Sequence, residues 1–213
     1  MSVEVLVFDW DGTLVDSEAH IVDSITQAAQ AMKLEPLSYD RKKSIIGLGM
    51  REALNVLYPG LSEKDIDTMR QHYSGYFFKR GTSEHDLFPN VVGTLSQLKA
   101  QGYRLAVATG KSRNGLSKAL VSTGLNAYFE IERCADETAS KPHPLMLQQI
   151  AEHFAVAPER MLMVGDTSYD LEMAAAFGMP SVGVSYGVHD VSLLRQYKPV
   201  AIIDCISQLH AYL

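Results

Sequence analysis

Cysteine is nearly absent from this 213-residue chain, with Cys134 and Cys205 its only two. Two thiols cannot build a disulfide framework or a thiolate metal centre. Both read as small buried hydrophobes, as expected in a reducing, cytoplasmic setting. Long apolar runs are also missing, since no stretch approaches the roughly 18 residues that cross a bilayer. The nearest uncharged run, from Met173 to Val188, is broken by Gly178, Pro180, Gly183 and Gly187. The opening MSVEVLVFDWDG has no basic segment and meets acids early, so it does not read as a secretory signal. A basic surplus is lacking too. Lys and Arg total 19 against 25 Asp and Glu, a net charge of −6, which argues against a dedicated nucleic-acid binder. What remains is ordinary: 46% hydrophobic and 21% charged residues, enough for one full core, with or without an insertion.

Residues 3–8 form a compact apolar, β-branched run that ends in acids and a glycine, which predicts a buried strand followed by a functional loop. From Ser17 the period lengthens, and Ile21, Ile25, Ala28 and Met32 recur on one helical face. A short helix is expected over 51–58. Ser62 with Asp65 then signals the start of a longer one carrying Ile66, Met69, Tyr73 and Phe77 on one face. Residues 17–80 are therefore expected to be all helix. After the polar joint 81–86, helices are predicted at 91–101, 116–123, 145–154 and through 173–177. Strands alternate with them at 105–108, 129–134, 161–164, 181–185 and 200–203. This order predicts an α/β fold with a doubly wound parallel sheet and a helical unit inserted after the first strand. The expected division is a discontinuous core, 1–16 and 85–213, around a helical unit, 17–84.

Ligands of open parallel sheets bind beyond the carboxyl ends of the strands. Those ends carry Asp9 and Asp11, then Thr109 and Gly110, then Asp136 and Lys141 further on, then Asp166 and Asp170. Asp9 and Asp11 lie two apart in an extended chain and share a face. Close unpaired carboxylates repel, so each must be protonated, hydrogen-bonded or bound to a cation. Hard oxygen ligands without a Cys or His cluster favour Mg²⁺. Gly12 admits a close ligand approach, and Thr13 offers a hydroxyl and an amide. The run Asp9-Trp10-Asp11-Gly12-Thr13 is followed in order by Thr109 after a strand, by Ser140-Lys141-Pro142-His143-Pro144, and by Gly165-Asp166-Thr167-Ser168-Tyr169-Asp170. In this ordered set the chain resembles the haloacid dehalogenase-like (HAD) superfamily of phosphohydrolases, with its Rossmann-like core. The resemblance spans the whole chain and points to the phosphoglycolate phosphatase-type branch, with 17–84 in the place of that family's helical cap.

The resemblance implies a Mg²⁺-dependent phosphatase that hydrolyses a small phosphomonoester through an aspartyl-phosphate, phosphoglycolate being the first candidate. Asp9 would attack phosphorus. Asp11 would give a proton to the leaving alkoxide and then take one from water. Thr109 with the Gly110 amide would hold a phosphoryl oxygen, and Lys141 would offset charge on nucleophile and phosphate. Mg²⁺ would sit on the Asp9 carboxylate, the Asp11 carbonyl and Asp166. Asp170 is expected to orient that shell or hold Lys141 rather than bind the metal directly. A phosphomutase or pyrophosphatase of the same superfamily is the alternative. Mutase relatives tend to carry a cap-joint histidine where this chain has Ile21, which counts against that activity. A receiver-like signalling module also pairs clustered acids with Thr or Ser and Lys. Such modules are about half this length, and Asp11 supplies a base that would destroy their signal.

Other residues carry plainer expectations. The segment Gly47-Leu48-Gly49-Met50-Arg51 is similar to a dinucleotide fingerprint, but it lacks the third glycine and a preceding strand. It reads instead as a cap loop facing the site. Arg51 there either meets an anionic substrate group or starts a helix in solvent. The triplet Arg41-Lys42-Lys43 reads as a solvated face, His20 as a surface helix residue, His143 as an exposed loop residue and Trp10 as packing. No oligomeric state is legible.

Overall fold

The computed structural model describes residues 3–213. Its strands are short, and the central ones are apolar on both faces, as a parallel sheet covered on both sides requires. They are β1 Val5–Phe8, β2 Arg104–Thr109, β3 Ile131–Cys134, β4 Met161–Gly165, β5 Ser181–Val184 and β6 Ala201–Ile203. All pairings are parallel, in the order β3-β2-β1-β4-β5-β6. Leu6 and Phe8 enter one core cluster while Val5 and Val7 enter another, because successive strand side chains point to opposite faces. Val7 aligns with Ala106 on one side and Met163 on the other. The chain thus winds outward in both directions from β1, and the crevice at this reversal is where such sheets bind ligands.

Between β1 and β2 come α1 Glu18–Ala31, α2 Tyr39–Lys43, α3 Met50–Leu57 and α4 Glu63–Arg80. Ile21, Ile25 and Ala28 of α1 and Ile66, Met69 and Phe77 of α4 join one buried cluster of this helical insertion. Ser62 caps α4 by accepting from the Asp65 N–H, as its spacing predicts. The two connections to the sheet pair with each other. Val15 bridges Leu87, the Asp16 N–H donates to the Asp86 carbonyl at 2.8 Å, and the Phe88 N–H donates to that of Leu14 at 3.0 Å.

Helices α5 Val91–Ala100 and α6 Arg113–Thr123 cover one sheet face, and α7 Leu145–Phe154 and α8 Ser168–Phe177 cover the other. A one-turn helix, α9 Val191–Leu194, precedes β6. Helix α8 passes through 173–177 as expected and starts at Ser168. Thr167 and Asp170 form a capping box there, and Gly178 in the left-handed region ends the helix. At five residues, α2 is too short for a period to register, and it is absent from the sequence reading. Two side chains also depart from expectation. Lys42 is buried rather than solvated and donates to Thr26 Oγ1 at 2.6 Å. Cys205 is half-buried, its thiol held by Asn90 and Ser207, whereas Cys134 is buried as expected. Among the described residues no helix is long and apolar enough to cross a membrane.

Candidate active site

Asp9 follows β1 and is fixed there by its N–H, which donates to the Val164 carbonyl of β4 at 2.9 Å. Its Oδ1 accepts from Lys141 Nζ at 2.5 Å, and Lys141 Nζ also donates to Asp170 Oδ1 at 2.6 Å. All three side chains are buried. The second oxygen of Asp170 accepts from the Thr167 N–H at 3.1 Å and its hydroxyl at 2.7 Å. Asp166, after β4, accepts from the Thr13 hydroxyl and the Val188 N–H, both at 2.8 Å. Gly12, at φ +83°, lies so close to it that a Cβ there would stand 2.2 Å from Asp166 Oδ2. Only glycine fits that turn.

Asp11 turns away from this triad. Its Oδ1 accepts from the Ser17 hydroxyl at 2.6 Å and pairs with Lys111 Nζ at 3.0 Å. Thr109, fully buried at the end of β2, accepts from the Lys111 N–H through its hydroxyl at 3.2 Å. A Cβ on Gly110 would meet the Leu48 carbonyl oxygen at 2.4 Å, so the loop 44–49 presses directly on this turn. The same loop is tied to the sheet edge by the Gly49 N–H, which donates to Ser140 Oγ at 2.8 Å. Asp136 stands apart and accepts from the Arg113 N–H at 2.9 Å. Sequence reasoning missed Lys111 and Ser17. Lys111 directly follows Thr109-Gly110, and that adjacency was the available signal.

Asp9, Asp166 and Asp170 each offer an oxygen, and the three atoms lie within 4.8 Å of one another. Three carboxylates against one ammonium leave an excess of negative charge, and Asp9 Oδ2 is buried without a protein partner. Burial pushes the Asp9 carboxyl well above the usual carboxylate range. Lys141 opposes the shift, and Asp170 and Asp166 add to it. Burial first and Asp170 second push Asp166 up to about 7. Burial by itself would lower the Lys141 ammonium, but Asp170 and Asp9 outweigh it and hold that group above its ordinary value. Buried, mutually repelling oxygens with an uncommitted lone pair fit a hard divalent cation such as Mg²⁺.

The helical insertion closes over these groups, leaving a cavity of about 650 Å³ bordered by Asp9 and Asp11. Of the segment 47–51 expected to face the site, Gly47, Leu48 and Met50 border the cavity, whereas Arg51 does not. Its guanidinium pairs with Glu63 and, at 2.9 Å, with Asp67. Arg70 of α4 borders the cavity instead. His20 is no surface residue. It is buried and stacked on Phe77 with ring centroids 4.0 Å apart, and its Nε2 has no partner. Burial, then the Arg80 charge, lowers its pKa. His143 is exposed and Trp10 is packed edge-on against Phe129, as expected.

The chain is an α/β protein with a parallel doubly wound sheet and an acid-rich switch point, and comparison with known proteins specifies its class. The sequence profile of haloacid dehalogenase-like hydrolases matches residues 6–184. A protein of Dickeya dadantii named probable phosphatase IndB is 32% identical, over 96% of this chain and 91% of that one. The phosphoglycolate phosphatase of Agrobacterium fabrum is 31% identical, over 95% and 89%. A crystal structure of a predicted phosphoglycolate phosphatase from Haemophilus somnus superposes with a TM-score of 0.88 at 27% identity, over 100% and 98%. The chain belongs to the haloacid dehalogenase-like hydrolases, and within them it is a phosphatase.

Proposed function

We propose that this phosphatase is Mg²⁺-dependent and passes the phosphoryl group of a small phosphomonoester through Asp9. The carrying observation is the state of that carboxylate. One oxygen is fixed by Lys141, and the other is buried without a partner at the carboxyl edge of the sheet. Attack by Asp9 forms an O–P bond as the bond to the leaving oxygen breaks. Asp11, oriented by Ser17 and Lys111, gives its proton to that alkoxide. Water then attacks phosphorus and loses a proton to Asp11, so inorganic phosphate leaves and the Asp9 carboxylate is restored. Thr109 and the Gly110 amide hold a phosphoryl oxygen, and Lys141 offsets the charge gathering on nucleophile and phosphate. Asp170 positions Lys141 rather than touching substrate. Asp9, Asp166 and the Asp11 carbonyl would hold Mg²⁺, which would neutralise carboxylate charge and polarise the phosphoryl group when bound.

Residues 17–84 serve as a cap in this reading. The paired connections at Val15 and Leu87 act as its joint, opening for substrate and closing to exclude water. Ile21 borders the cavity, so no imidazole stands where mutase relatives tend to carry one. The relatives' names make phosphoglycolate the reference substrate. The acidic balance supports a small-molecule partner rather than nucleic acid, and a cytoplasmic setting is part of the same proposal. A phosphomonoester panel assayed with Mg²⁺ and with EDTA tests it. Turnover should vanish on chelation, return with Mg²⁺ and be absent in Asp9→Asn. Activity that survives chelator or Asp9→Asn overturns the mechanism.

A further inference from the structure

The space that would receive the leaving group has a chemistry of its own. At about 650 Å³, the cavity between the sheet edge and the helical insertion lies within the roughly 300–1,000 Å³ that encloses drug-sized ligands. A two-carbon hydroxy acid fills little of it. The insertion's side of the wall is mainly apolar, built by Ile21, Ile45, Ile46, Met50, Phe77 and Phe78. Two cations border it, each beside an acid. Arg70 Nη1 lies 3.2 Å from Asp67 Oδ1, and Lys111 Nζ lies 3.0 Å from Asp11 Oδ1. Asp67 also takes Arg51, which pairs with Glu63, so two arginines and two acids close a neutral cluster. Among the described lining residues each cation stands beside an acid for which a substrate carboxylate would compete, and a carboxylate stripped of water against such a wall is costly.

We infer that the preferred leaving group is an uncharged, largely apolar alcohol of several carbons, seated against Ile46, Met50 and Phe78, rather than a short carboxylated one such as glycolate. The inference rests on the phosphomonoesterase reading above. Ethyl, butyl and hexyl phosphate test it, because their leaving alcohols differ in length and hardly in acidity. With Mg²⁺ present, kcat/KM should rise about fourfold per added methylene. Phosphoglycolate should fall at least about tenfold below hexyl phosphate by the same burial argument. Phe78→Ser should flatten the series, and so should Met50→Gln, the milder change at a half-buried position. A flat series, faster turnover of phosphoglycolate, or wild-type slopes in both variants overturns the inference and leaves the phosphatase reading standing. Failure to hydrolyse any ester, p-nitrophenyl phosphate included, removes that reading and the inference with it.

Discussion

Among the described residues Lys141 is the one ammonium within hydrogen-bond reach of Asp9 and Asp170, and all three are buried. Removing one member of a buried charge cluster leaves the others uncompensated, typically at a cost of about 3–5 kcal/mol. Lys141→Met should therefore lower the unfolding free energy read from a urea titration by an amount of that order, besides abolishing turnover. A Lys141→Met protein as stable as wild type contradicts this picture. The cysteines give a second check. Burial pushes the Cys134 thiol up to about 12, while hydrogen bonds from Ser207 and Asn90 lower that of the half-buried Cys205. At pH 8 a thiol reagent should label one site per folded chain, at Cys205, and the second only after unfolding. Equal labelling rates in the folded protein would refute that. Asp9, Thr109 and Asp166 are legible in sequence because each sits at or just beyond a strand end and the parallel topology sends all such ends to one edge, whereas Lys141, further on, is legible from the Ser140-Lys141-Pro142-His143-Pro144 run. The stacking of His20 on Phe77 is not legible, because it depends on how α1 and α4 pack together, which no local pattern encodes.

The turn after β2 and the loop 44–49 meet at backbone distance. Gly110→Ala would set a Cβ 2.4 Å from the Leu48 carbonyl oxygen, so the loop must lift away from the catalytic edge. Turnover should fall by about 10–100-fold, as small misplacements near chemistry do, while the melting temperature shifts by only a few degrees. Wild-type kinetics in this variant would show that the loop contact does not matter. Helical periodicity told which faces of α1 and α4 are buried, but not that Ile21 and Phe77 would also border a cavity. The start of α8 is set by the Thr167–Asp170 capping box, a pairing of side chain and backbone that apolar periodicity does not register. Arg51 shows the same limit. Its nearest acids, Glu63 and Asp67, lie on a different helix, and their claim on it appears only once α3 packs against α4.

A net charge of −6 understates how the molecule distributes its acids, three of which converge at the carboxyl edge of the sheet. The stability of the metal-free protein follows from that convergence. Asp166 is raised from an ordinary 3.8 to about 7, so between those values the folded chain keeps a proton that the unfolded chain has lost. Stability should accordingly decline as pH rises from about 4 to 7, and Asp9, raised as well, adds to the decline. Thermal melts in EDTA should show this slope and Asp166→Asn should make it shallower, while saturating Mg²⁺ should raise the melting temperature more at pH 8 than at pH 5.5. A pH-independent melt without metal would contradict the reading of the cluster. The central claim, that Asp9 carries the phosphoryl group, is open to direct trapping. In Asp11→Asn with p-nitrophenyl phosphate, the leaving group needs no proton, so phosphorylation proceeds while the base for the second step is gone. A stoichiometric burst of p-nitrophenolate should accompany one phosphoryl group on the peptide containing Asp9, located by mass spectrometry. Steady release of phosphate without a burst, or a phosphoryl group on any other residue, would show that Asp9 is not the nucleophile.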